Sequence, residues 1–122
     1  MEVSDEQYFT IAVVNLSNGQ QRPVRVWKMP SGSQMNLLFI LCEHVGYNIT
    51  LDDICHRMKI SINALRIYAT RLRKLISPEW VISATNNKGM RILYNGPEFT
   101  DTEKTRLIID FTKMNQLVIR AE

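Results

Sequence analysis

The chain has 122 residues, 45% apolar and 22% charged, with a formal net charge of +3. That length suits one domain and is short for two, and its apolar share supports a packed core without a disulfide or metal staple. A mean hydropathy of -0.14, with five glycines and four prolines, excludes a disordered or low-complexity chain. The longest apolar run, Leu37–Cys42 between Asn36 and Glu43, is far too short to cross a bilayer. The acidic start, Met1-Glu2-Val3-Ser4-Asp5-Glu6, is unlike the basic start of a secretory signal, so a cytoplasmic location is expected.

In chain order, Tyr8–Leu16 and Val24–Trp27 are apolar, β-branched runs flanking Ser17-Asn18-Gly19-Gln20, a hairpin signal. Pro23 suits the start or edge of the second strand. Ser31 and Ser33 can cap a helix in which Met35, Leu38, Cys42 and Val45 form a buried stripe, and Gly46 is placed to end it. Thr50-Leu51-Asp52-Asp53 starts a short second helix reaching about Met58. Lys59-Ile60 make the turn, and Ser61 caps a third helix that runs to about Ile76, where Pro78 blocks continuation. Trp80–Thr85 and Met90–Tyr94 then flank Asn86-Asn87-Lys88-Gly89, a second hairpin with a basic tip. Gly89 is expected to take a backbone conformation costly for other residues. The expected fold is α+β: N-terminal antiparallel strands, a three-helix core and a C-terminal hairpin, the layout of a winged helix-turn-helix over residues 1–97.

Cys42 and Cys55 fall in helical segments with His44 and His56 nearby. Their spacing fits no zinc motif, and residues 42 and 44 face different sides of a helix. They read as buried thiols, with no metal and no cofactor. The sequence also has no phosphate-binding glycine loop, nucleophile elbow or paired-helix metal motif, so a non-enzymatic protein is expected.

The third helix carries most of the information. Ile62, Leu65, Ala69, Leu72 and Ile76 step by three and four to make one apolar stripe. Asn63, Ile67, Thr70 and Lys74 fall opposite it, with Arg66 and Arg71 flanking and Arg73 nearer the core boundary. Charge concentrates in the same region. Residues 1–55 hold three Lys/Arg against six Asp/Glu, residues 56–94 hold eight against Glu79 alone, and residues 95–122 hold four against five. Such a stretch suits a polyanion, although a solvated helix face would also carry it. Asn63 offers an adenine-matching amide, Arg66 or Arg71 a guanine-matching fork, and Thr70 and Ile67 contact for a thymine methyl; Lys74 suits phosphate, and Lys88 at the hairpin tip is a further DNA-binding candidate.

Leu37-Leu38-Phe39-Ile40-Leu41, Ile49-Thr50-Leu51-Asp52-Asp53-Ile54, Leu65 through Leu75 with its Arg71-Leu72-Arg73 ending, and Ile82–Thr85 with Lys88–Ile92 form an ordered set. Over roughly residues 8–94 this set resembles the OmpR/PhoB-type winged-helix family, the DNA-binding half of many bacterial response regulators. The resemblance implies a short strand before the second helix. It also implies DNA contacts from Arg66, Tyr68, Thr70, Arg71 and Arg73, with Arg91 reaching the minor groove or backbone. Met90 stands where the family has an aromatic residue, and Lys59-Ile60 replace a longer loop that in the family often touches RNA polymerase. The expected arrangement is a stand-alone regulator without a receiver domain, or the soluble head of a membrane-anchored activator. The expected function is a bacterial or phage-like transcription regulator binding double-stranded DNA, with RNA polymerase as a further partner. The alternative is a protein–protein adaptor of the same fold, acting on polymerase or another regulator.

Residues 98–122 lie beyond the resemblance. Thr100-Asp101-Thr102-Glu103 is a capping box. Leu107, Phe111, Met114 and Val118 continue at helical spacing, predicting an extra C-terminal helix with an apolar stripe. That stripe either packs on the N-terminal sheet or forms a homodimer contact.

Overall fold

The computed structural model describes residues 3–16, 18–85, 88–97, 100–113 and 118–120. The chain is α+β. After a single 3-10 turn at Asp5–Gln7, β1 (Phe9–Asn15) and β2 (Gln21–Val26) precede α1 (Gly32–Cys42). Next come β3 (Ile49–Thr50), α2 (Leu51–Met58), α3 (Ile62–Leu75), β4 (Trp80–Thr85), β5 (Gly89–Tyr94), α4 (Asp101–Lys113) and β6 (Val118–Arg120). Two three-stranded sheets result, in the orders β2-β1-β6 and β3-β5-β4.

β1 and β2 pair antiparallel, Ala12 with Val24 and Val14 with Arg22. Gly19 takes the left-handed φ of 83° that the Asn18-Gly19 turn demands. Pro23 sits inside β2, which is an edge strand of its sheet, where its missing N–H costs little. The segment after α3 covers part of that edge. Val26 bridges to Ile76, the Trp27 N–H donates to the Leu75 carbonyl at 3.1 Å, and the Ser77 N–H donates to the Arg25 carbonyl at 2.9 Å.

Two expectations for the C-terminal segment are corrected. The helix ends at Lys113, and Val118 lies in β6, paired parallel to Val13 of β1, so it cannot continue a helical stripe. β6 also makes the N-terminal sheet mixed rather than purely antiparallel. A β-branched Val118-Ile119 pair beside an open strand edge gains sheet hydrogen bonds that a frayed last helical turn would lack. Thr100 caps α4 as expected: its Oγ1 accepts from the Glu103 N–H at 3.2 Å, and Glu103 Oε2 accepts from the Thr100 N–H at 2.8 Å. Leu107 is buried, and α4 packs against β1. Met114 and the Phe111 side chain lie outside the described residues.

The main core joins Ala12, Val14, Val24 and Val26 to Leu37, Leu38, Leu41 and Cys42 of α1, Ile54 of α2, and Leu65, Ala69 and Leu72 of α3. The hairpin β4–β5 contributes Trp80, Ile82, Met90 and Ile92. Met90, in place of the family's aromatic residue, is only 1% exposed. α1 is buried on more of its surface than one stripe implies, with Leu37 and Ile40 inside as well. Ser31, not Ser33, caps it, in a reciprocal capping box with Gln34. Ile62 departs from its predicted stripe and is 39% exposed. It starts α3 about 60° from the centre of the buried face, where cover is only partial.

A polar cluster fastens the two ends of the core. Arg25 donates through Nε (3.0 Å) and Nη2 (2.8 Å) to Glu79 Oε1, and through Nη1 to Asp5 at 3.0 Å. The Ser77 hydroxyl donates to the same Glu79 oxygen at 2.8 Å. Burial alone would lower the Arg25 pKa, but hydrogen bonds and charge from Glu79 and Asp5 outweigh it and raise it. Trp80 Nε1 donates to the Pro23 carbonyl at 2.8 Å, tying the second sheet to the first.

Gly89 is required for a different reason from the one expected. The left-handed glycines among the described residues are Gly19 and Gly46, not Gly89. Gly89 instead lies under the side chain of Asn48, whose amide a Cβ there would overlap. Asn48 Oδ1 accepts from the Thr85 hydroxyl at 3.1 Å, so this amide latches the end of the hairpin. Gly89→Ala is expected to cost about 1–2 kcal/mol, because Asn48 must turn away and release Thr85. Thermal melts check it: adding Asn48→Ala should make the Gly89→Ala penalty smaller than in the parent, whereas an unchanged penalty would place the strain in the backbone.

Candidate nucleic-acid interface

α2 and α3 are joined by a turn with little freedom. Thr50 Oγ1 accepts from the Asp53 N–H at 3.2 Å to start α2. Lys59 ends it in the left-handed region at φ 57°, ψ 48°, a conformation unusual for a residue with a side chain. The Ile60 N–H donates to the Cys55 carbonyl at 3.1 Å, and Ser61 Oγ accepts from the Ala64 N–H at 3.1 Å to start α3. Burial of Leu65, Ala69 and Leu72 fixes the rotation of α3 about its axis. The opposite face is thereby presented outward.

On that face Asn63, Arg66, Ile67, Thr70, Arg71 and Lys74 are all exposed, Ile67 by 49%. The Thr70 hydroxyl donates to the Arg66 carbonyl at 2.9 Å, so outward it offers a methyl group and acceptor lone pairs rather than a donor. Tyr68 stands apart from this face: it is half-buried and packs against the core. Arg73 is exposed, but its Nε donates to the Ile82 carbonyl of β4 at 2.9 Å. Lys88 is exposed at the end of the second hairpin. Arg91, opposite Ser83, is half-buried, and its Nε is buried with no hydrogen-bond partner among the described residues.

The local charge survives folding. Arg57 is taken by Glu43, with Nη2 at 2.9 Å from both carboxylate oxygens, and Glu79 is taken by Arg25. No acidic residue lies in α3, β4 or β5. Among the described residues no carboxylate lies within ion-pair distance of Lys59, Arg71, Arg73, Lys74, Lys88 or Arg91.

The other chemistry-bearing residues are not gathered. Cys42 is fully buried, and burial pushes its thiol pKa far up; Cys55 is also raised, by burial and then by the Asp52 charge. His44 makes an edge contact with Tyr47, and His56 is exposed on α2. Among the described residues no three His, Cys, Asp or Glu side chains are placed to hold a metal ion, and no helix is long and apolar enough to cross a membrane. No family model, curated protein or solved structure matches this chain.

Proposed function

We propose that the chain is a winged helix-turn-helix protein that binds double-stranded DNA in a sequence-dependent way, with α3 in the major groove and the β4–β5 hairpin on the minor groove or backbone. One observation carries this reading. The exposed face of α3 combines an amide, a hydroxyl, an aliphatic group and three cations, with no acid on the helix. That set matches base edges and thymine methyls along one helix, with phosphate contacts at its borders. The tight α2–α3 turn supports the same reading, since it holds α3 rigidly while leaving its outer face uncovered. An adaptor using this face would need an apolar anchor, and Ile67, set among charged and polar side chains with the exposed Ile62 off to one side, is a poor one.

Selection of bound duplexes from a random pool tests the proposal by yielding an enriched site. On that site, Asn63→Ala and Thr70→Ala should each reduce discrimination against random DNA, by about 1–3 kcal/mol where the contact is a good one. Lys74→Ala should weaken both DNAs about equally. Equal losses from all three substitutions, or no enriched site, would remove α3 from a groove.

A further inference from the structure

Arg73 lies at the border of the charged face of α3, yet its guanidinium is already engaged within the protein. β4 is an edge strand, and an edge leaves main-chain groups without a strand partner. Arg73 Nε supplies a donor to one of them, the Ile82 carbonyl, at 2.9 Å. The same end of α3 is anchored from the other side, where Trp27 Nε1 donates to the Lys74 carbonyl at 2.7 Å. At the far end of the hairpin, Asn48 latches Thr85 and lies over Gly89. Beyond its core side chains, its pairing with β3 and the Trp80–Pro23 bond, the hairpin has these two polar ties, and the one made by Arg73 joins it to α3.

We infer that Arg73 is a positioning residue: it sets the hairpin against α3 and so aims Lys88 and Arg91, rather than acting as one more phosphate contact. Arg91 makes the aim matter. The residue is half-buried and its Nε is buried, so a shift of β5 would carry the guanidinium with it. This role for Arg73 rests on reading α3 and the hairpin as a DNA surface.

Lysine at position 73 keeps the charge but lacks the planar fork with an Nε donor. The test measures the salt dependence of binding to a random-sequence duplex for the parent, Arg73→Lys, the pair Lys88→Ala/Arg91→Ala, and all three together. In the parent the pair should reduce the slope of log affinity against log salt by about two, one for each phosphate no longer neutralised. In the Arg73→Lys background the pair should change it by about zero, and Arg73→Lys alone should already lower the slope although charge is conserved. Additive changes, or an unaltered slope for Arg73→Lys, would overturn the inference. Hydrogen exchange on the free protein supplies a readout independent of DNA. Arg73→Lys should speed exchange of the β4 and β5 amides by about tenfold while α1 stays protected; unchanged hairpin protection would also overturn it. If the hairpin loosens in Arg73→Lys while the parent shows no salt-dependent duplex binding, the DNA reading fails and the tie between hairpin and helix stands.

Discussion

Removal of residues 98–122 is expected to leave a chain that no longer folds cooperatively. Ile11, Ala12, Val13 and Val14 are all buried although they are consecutive in one strand, so both faces of β1 are covered. Val13 and Leu107 are buried outside the main cluster, and α4 packs against β1. Truncation would uncover this second layer and strip β6 from the edge of β1. Uncovering Val13 and losing the burial of Leu107 together forfeit about 3–6 kcal/mol, a large part of the roughly 5–15 kcal/mol that holds a domain together. The expected result is loss of the near-ultraviolet circular dichroism signal and of a sharp melt. Leu107→Ala is the graded version, folded but about 2–4 kcal/mol less stable. A truncated chain that melts sharply within a few degrees of the parent would make the C-terminal segment peripheral and return it to the role of a self-association element.

Glu79→Ala should be the most damaging single polar substitution. Arg25 and Glu79 are 15% and 13% exposed, so solvent screens the pair little. Removing Glu79 leaves the Ser77 hydroxyl without its acceptor and Arg25 with Asp5, which is 69% exposed. The expected cost is about 2–4 kcal/mol, a fall in melting temperature on the order of 10 °C. Glu79→Gln keeps an acceptor oxygen and should fall between parent and alanine. Equal melting temperatures for alanine and parent would mean that Arg25 finds compensating partners.

The pattern of what the sequence disclosed follows from the range of the interactions. Ser31, Thr50, Ser61 and Thr100 announce their helices because a cap acts within three residues. Asn18-Gly19 announces its turn in the same way, and the alternation of apolar residues on α3 sets which face is buried. Long-range features left no such mark. Nothing near Arg25 points to Glu79, 54 residues away, and nothing near Arg73 identifies the Ile82 carbonyl as its partner. The helical spacing of Leu107, Phe111, Met114 and Val118 was misleading at Val118, since spacing alone cannot weigh a helical turn against an open strand edge elsewhere in the fold. At the candidate interface, the exposed residues of α3 were legible from periodicity. The partial burial of Tyr68 against the core and the engagement of Arg73 were not, because both depend on what packs beside the helix.

The measurement closest to the central claim is the affinity of the intact protein for duplex DNA across a series of salt concentrations. If about five of the eight basic residues in 56–94 meet phosphates, log affinity should fall against log salt with a slope of roughly −4 to −5. A slope near zero, or no duplex binding at low salt, would contradict the DNA reading and favour a protein partner for the exposed face of α3.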